Sequence, residues 1–428
     1  MKKVLIISYF SLPFDVIASY RTNAYLKHFR SFGFYPTVLT HYMGMEEQNG
    51  VSVEKDETGT VIRVPIRKSK LRALLRKAET MPILNKVSIL TRWILGFLDS
   101  RPEMIDSYYS LKAYCFSELD VTKFDMVIGI YSPHHHLRLC YKLHRKFEIP
   151  YVLDFRDLWD NRILHAKYSP SAVEKIQDKL TLRWWSKWLH KASFFTTTSD
   201  PWRSKLELIT DTKGEVVTNG FDEECFTNKE FRRSDLFTII HAGALYEDLE
   251  LVIFLKGCKE FLRAFPDAKF KIKFLGADKN SGPGGKRVGF LSNPVERILK
   301  YIPQDYVEIT TRVPKSRVVD EMYDAQIVLF LSHPQINGWY SGKVFDYLGA
   351  RKTILMVPDD HSVVGDLILK TNAGVIANTA EEVCSYLKKS YLEWQKQGEI
   401  PYHGKEEEII RYSRRKQVEK IAGLLNRL

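Results

Sequence analysis

Cysteine is sparse in this chain. The five thiols, Cys115, Cys140, Cys225, Cys258 and Cys384, are scattered, odd in number and never spaced as CxxC. That excludes a disulfide framework and a zinc site built on cysteine pairs, and it predicts reduced thiols in a cytoplasmic protein. Long apolar runs are missing too: no stretch approaches the roughly 20 apolar residues of a membrane span. The opening Met1-Lys2-Lys3-Val4-Leu5-Ile6-Ile7 breaks at Ser8 with no small-residue cleavage site, so it reads as a first strand and not as a secretion signal. No Asp-x-Asp stands in a context suited to a metal clamp. No nucleic-acid-binding motif or serial repeat is present, which argues against nucleic acid as a partner.

Positive charge is abundant. The net charge is +12, and it is uneven. Residues 61–92 carry Arg63, Arg67, Lys68, Lys70, Arg72, Arg76, Lys77, Lys86 and Arg92 against Glu79 alone. Leu71, Leu74, Leu75 and Ala78 share helical spacing there, as do Ile83, Val87, Leu90 and Ile94 after Pro82. Two readings stay open. A basic amphipathic helix lies on an anionic membrane surface, or its stripe packs on its own domain beneath solvated lysines.

At 428 residues the chain is too long for one ordinary core and predicts two domains. The informative stretch is Ser341-Gly342-Lys343-Val344-Phe345-Asp346-Tyr347-Leu348-Gly349-Ala350, set between the apolar runs 327–331 and 354–357. That order reads as strand, loop, helix, strand, the grammar of a parallel sheet. Lys343 and Asp346 then sit in the helix's first turns at the carboxyl edge of the sheet, where open α/β sheets bind ligands. A helix start and a lysine suit a phosphate, and a carboxylate suits the two hydroxyls of a ribose. The plain alternative is a solvated lysine and an ordinary first-turn carboxylate.

This stretch resembles the donor-site segment of the GT-B glycosyltransferases of the large retaining family four, in the Lys-x-x-Glu/Asp-Tyr-Leu variant of bacterial surface-polysaccharide enzymes. The family's pattern is Glu, seven residues, Glu. Asp346 falls on the second position and Gly338 on the first, so one carboxylate is absent. The resemblance implies an α/β fold of two Rossmann-like domains facing a cleft. It places an acceptor domain at 1–212, a nucleotide-sugar domain at 213–404 and a terminal helix over 405–428 crossing back to the first. It also implies a nucleotide-sugar donor as co-substrate, a glycan or lipid-linked acceptor, and no cofactor or metal.

The other candidates follow the chain. Ala18-Ser19 occupy the place of the family's glycine pair, and Arg21 behind them is a candidate for the diphosphate alongside Lys343. Phe124–Ile130 reads as a strand leading into Ser132-Pro133-His134-His135-His136. Consecutive side chains do not face one ion on a regular element, so His134 is assigned to a cleft lining and not to a metal. The strand 150–153 runs into Asp154-Phe155-Arg156-Asp157-Leu158-Trp159. Such a charged knot is either a structural ion pair or a cleft with Asp154 and Trp159 toward the acceptor. The resemblance brings Arg156 and Asp157 to the place where many relatives put a sugar-contacting histidine. Trp184, Trp185 and Trp188 among lysines read as core or as a lipid interface. Gly243 admits a phosphate close to the backbone. The resemblance implies that Arg312 and Val313 hold the base through main-chain groups, and residues 278–290, with four glycines, read as a flexible loop or a lid. Rival functions are a GT-B nucleotide-sugar epimerase or hydrolase, and a non-catalytic nucleotide-sugar binder.

Overall fold

A computed structural model describes the chain except residues 15, 43–48, 68–76, 79, 99–100, 160–168, 228–234, 247–248, 278–290, 292 and 334–335. The loop or lid expected at 278–290 and the basic run 68–76 lie outside the described residues. The chain divides into two units, Met1–Arg162, Ser169–Asn219 and Arg414–Leu428 in the first, and Gly220–Ser413 in the second.

Unit 1 is built on β1 (Lys2–Ile7), β2 (Phe34–His41), β3 (Ser52–Lys55), β4 (Thr60–Val64), β5 (Met126–Tyr131), β6 (Tyr151–Phe155), β7 (Phe194–Thr197) and β8 (Gly214–Val216). The sheet order is β3-β4-β2-β1-β5-β6-β7-β8, parallel except for the β3–β4 hairpin. Val4–Ile7 and Met126–Tyr131 are buried without alternation, as expected of parallel strands covered on both faces. Helix Ala172–Leu189 starts with a capping box: Ser171 Oγ accepts the Glu174 amide and Glu174 Oε2 accepts the Ser171 amide at 2.8 Å. Trp185 and Trp188 on it are fully buried, which settles them as core and not as a lipid interface.

The last helix, Arg414–Leu425, belongs to unit 1, where Val418, Ile421 and Leu425 join Val4, Ile6, Tyr25 and Phe29 in one core. The continuous helix expected over 405–428 is broken. Glu406–Ile409 and Ile410–Tyr412 form short turns within unit 2, and the Tyr412 carbonyl accepts the Phe221 amide at 3.2 Å instead of continuing the helix. The chain leaves unit 1 only after Asn219, beyond the expected 212, because β8 must first complete the sheet.

Unit 2 carries β9 (Phe237–Ala242), β10 (Phe270–Leu275), β11 (Val307–Ile309), β12 (Ile327–Leu331), β13 (Thr353–Val357) and β14 (Gly374–Ile376). All are parallel, in the order β11-β10-β9-β12-β13-β14. From β9 the chain fills one side of the sheet, then crosses to β12 on the other. The order therefore reverses between β9 and β12, and a crevice opens at their carboxyl ends.

Candidate functional site

The ladder between β9 and β12 ends early, pairing only Ile239 with Ile327 and Ile240 with Val328. Side chains close the remainder. The Tyr347 hydroxyl accepts the Ala242 amide at 3.0 Å and donates to the Leu329 carbonyl at 3.1 Å. His241 Nδ1 meets the same carbonyl at 3.1 Å. Tyr347 comes from helix Gly342–Ala350, whose apolar face (Val344, Phe345, Leu348) is buried in the core of this unit. Packing of that face therefore delivers the helix start to the crevice.

Lys343 stands in the first turn of this helix, and its Nζ lies 3.1 Å from Nε2 of His241. An ammonium only donates, so Nε2 accepts and the ring proton resides on Nδ1, in agreement with the bond to Leu329. Burial pushes His241 well below the ordinary histidine range, and the Lys343 charge adds to it. The pair thus carries one positive charge, on the lysine. Gly243 follows β9 with φ +108°, and a Cβ there would stand 2.9 Å from Lys343 Cε. At Gly276, φ +77°, a Cβ would lie 3.8 Å from Gly243 Cα and 3.9 Å from Arg312 Cα. The side-chain-free backbone of Gly243 therefore lies against the lysine, and Gly276 lies beside Gly243.

Asp346 is held through Oδ1 by Lys315 Nζ at 3.2 Å, both side chains about a quarter exposed at 26%. Lys315 opens the helix after Val313 and Pro314, so this ion pair ties the 312–315 segment to helix Gly342–Ala350. Arg312 is exposed, and Val313 packs against the core around the helix. Unit 2 thus gathers the sequence candidates Gly243, Arg312, Val313, Lys343 and Asp346 at one sheet edge. The neighbouring helix start is occupied from within: Asp360 accepts the amides of Ser362, Val364 and Gly365 at 3.1, 3.1 and 2.9 Å. Ser341, by contrast, makes no side-chain cap bond to helix Gly342–Ala350. Gly338, φ +83°, donates its amide to Ser362 Oγ at 2.9 Å.

The unit 1 candidates divide. Arg21 and Asp154 form a bidentate pair, with Nε to Oδ2 and Nη2 to Oδ1 both at 2.7 Å, and they are only 5% and 0% exposed. Tyr25 and Thr196 donate to the same carboxylate at 2.8 and 2.6 Å. Arg21 also donates to the carbonyls of Val217 and Thr218 at 3.0 and 3.1 Å. Burial opposes the Arg21 charge, and Asp154 more than offsets it, holding the guanidinium above its usual range. The sequence points Arg21 at a diphosphate and Asp154 at a cleft. The structure instead turns both inward, because a buried charge needs its partner there.

Arg156 and Asp157 pair with each other at 2.7 Å and keep 15% and 25% of their side chains exposed. His134 accepts the indole N–H of Trp185 on Nδ1 at 2.8 Å and is 8% exposed. Trp159 stands edge-on to Trp185 at 5.5 Å, with the Lys205 ammonium 4.9 Å from the Trp159 ring centre. His135 and His136 are buried against Tyr108 and Tyr9, away from any shared point with His134. Among the described residues no group of three or more His, Cys, Asp or Glu is placed to hold a metal.

Solved structures match this backbone along its whole length. Sucrose-phosphate synthase from Thermosynechococcus elongatus matches at a TM-score of 0.61 and 11% identity, covering 100% of this chain and 99% of its own. Anabaena HepE in complex with UDP and glucose matches at 0.59 and 11%, covering 100% of both chains. The UDP-forming α,α-trehalose-phosphate synthase of Burkholderia xenovorans, in complex with glucose-6-phosphate, matches at 0.61 and 9%, covering 99% of this chain and 100% of its own. The fold is GT-B. No protein-family model matches the chain, and no protein of curated function matches it by sequence.

In this GT-B chain the residues that sequence reasoning missed are those acting at long range. His241, Tyr347 and Gly276 build the unit 2 crevice, Lys315 holds Asp346, and Tyr25 and Thr196 hold Asp154. One signal was available: a lone histidine in the apolar run Phe237–Ala242 must find a hydrogen-bond partner inside the fold.

Proposed function

We propose that the protein is a retaining, metal-independent glycosyltransferase that moves a sugar from a nucleotide-sugar onto a glycan or lipid-linked acceptor, akin to the family-four enzymes of bacterial surface-polysaccharide synthesis. The observation that carries this reading is the Lys343 ammonium, set against the bare backbone of Gly243 at the crevice between β9 and β12 and backed by a neutral histidine. A fixed cation beside an uncapped helix start is suited to the charge that grows on a leaving diphosphate. Asp346 would take the ribose hydroxyls, the backbone at Gly243 a phosphate, and the main chain at Arg312 and Val313 the base. Arg156 and Asp157, partly exposed at the end of β6, would serve the reacting sugar, with His134 and Trp159 toward the acceptor.

In the reaction the bond from the anomeric carbon to the diphosphate oxygen breaks, and an acceptor hydroxyl oxygen bonds to that carbon and releases its proton. UDP is the first nucleotide to test, since UDP or a UDP-sugar occupies HepE. Five free thiols are compatible with a reducing, cytoplasmic setting. The experiment is calorimetric titration with UDP, GDP and ADP on the native protein and on Asp346→Ala. One nucleotide should bind, with a loss of about tenfold in the variant, about 1.4 kcal/mol. No binding of any of the three would remove the donor-site reading. Gly338, at the place of a sugar-facing carboxylate, favours a second reading, a nucleotide-sugar binder without turnover. Tight binding with no transfer to any acceptor would select it.

A further inference from the structure

The apolar stripe after Pro82 does not turn inward. Helix Pro82–Ile94 and the residues flanking it leave Ile83 80%, Val87 58%, Ile94 58%, Leu95 57%, Met81 52% and Leu84 50% exposed. The opposite side of the helix is covered, with Arg92 at 3% and the Trp93 ring 5.9 Å from that of His134. The stripe is therefore a surface of an ordered, packed helix. Scattered apolar side chains on a surface need no explanation, but a contiguous face of large aliphatic residues marks a binding surface.

The helix that packs beside it defines what binds. Helix Ala172–Leu189 contacts Pro82–Ile94, and it turns Trp185, Trp188 and Thr181 inward. Beyond its first turn, its exposed positions are Lys175, Ile176, Lys179, Arg183 and Lys187. Unit 1 thus presents an aliphatic helix next to a helix whose solvent side is almost wholly cationic, in a chain of net charge +12. A second copy fits this surface poorly, because a symmetric contact sets the same cations against one another. A bilayer with anionic headgroups satisfies both parts at once.

We propose that this face of unit 1 seats the protein on an anionic phospholipid surface. Ile83, Leu84, Val87 and Ile94 enter the boundary between headgroups and acyl chains, and Lys175, Lys179, Arg183 and Lys187 engage the phosphates. No described helix is long and apolar enough to cross a membrane, so the contact is made in the plane of the surface. The seat is independent of the donor site, and failure of either leaves the other standing.

The test is flotation of the full chain with vesicles of phosphatidylcholine alone and of phosphatidylcholine mixed with phosphatidylglycerol. The protein should float with the mixed vesicles and be released by salt. The double variant Ile83→Asp, Val87→Asp and the double variant Lys179→Glu, Arg183→Glu should each weaken flotation about tenfold or more. All four side chains are exposed, so the urea unfolding midpoint should stay unchanged and confirm that the variants fold. Flotation that is absent, equal on neutral vesicles, or untouched by both variants overturns the proposal. So does a dimer in sedimentation that dissolves in Ile83→Asp, Val87→Asp, which would assign the face to a second copy.

Discussion

The ammonium of Lys343 and the ring of His241, 102 positions apart in the chain, meet at 3.1 Å at the carboxyl end of β9. Because the lysine only donates, the histidine is locked as an acceptor on Nε2 and a donor to Leu329 on Nδ1. Replacing His241 by Phe keeps an aromatic ring, slightly larger, at this buried position and removes the acceptor. Nucleotide affinity should then fall about tenfold or more, since one hydrogen bond to a charged group is worth about 1.5–3 kcal/mol. Titration of His241→Phe with UDP checks this, and an unchanged affinity would detach the histidine from the site.

Gly243 is the second test of the same crevice. Its φ of +108° is strained for any side chain, and an added Cβ would meet Lys343 Cε at 2.9 Å. Gly243→Ala should cost about 1–3 kcal/mol of stability through the backbone. It should also lower nucleotide affinity beyond that of a control variant of equal stability, because the lysine is pushed from its place. A urea melt and a titration on the same preparation separate the two effects.

Asp154 anchors unit 1. Asp154→Asn would leave the Arg21 guanidinium buried without a countercharge, a change worth about 3–5 kcal/mol of destabilisation. Arg21→Lys should fare little better, since the ammonium does not reproduce the two-pronged geometry to the carboxylate. Denaturant unfolding is the measurement. A loss under about 1 kcal/mol in both variants would mean that water reaches the pair and restores it.

Two buried histidines set the acid limit of the fold. Burial lowers His241 well below the ordinary range and pushes His41 down to about 4. Both take up protons on unfolding below about pH 6.5, and neither does so readily while folded. Stability should therefore be level above about pH 6.5 and fall as the pH drops from there toward 4. The slope should approach 2.7 kcal/mol per pH unit for two protons. Unfolding midpoints across this window check the slope, and His41→Phe should halve it.

The Arg156–Asp157 pair joins neighbouring residues with 15% and 25% of their side chains exposed, so Arg156→Ala should stay folded with a modest loss of stability, about 1–2 kcal/mol. If these residues serve the reacting sugar, turnover should fall by about 100-fold or more while nucleotide affinity stays the same. Loss of affinity without loss of turnover would move them out of the catalytic role.

Much of this molecule is legible in one dimension because parallel sheets are written locally. Runs such as 4–7, 327–331 and 354–357 are apolar throughout, since both faces of such a strand are covered, and the helix carrying Lys343 and Asp346 follows from its own periodicity. The sequence alone therefore determined two sheets of parallel strands and the helix start that forms the candidate donor site. Tertiary structure alone decided the partners. Arg21 finds Asp154 across 133 positions, and Lys343 finds His241 across 102, through strand order that no local pattern encodes. The direction of a stripe was equally undecided: Val344 and Leu348 face a core, while Ile83 and Val87 face solvent. Helical spacing makes a face apolar, but only the packed chain determines which neighbour, if any, covers it.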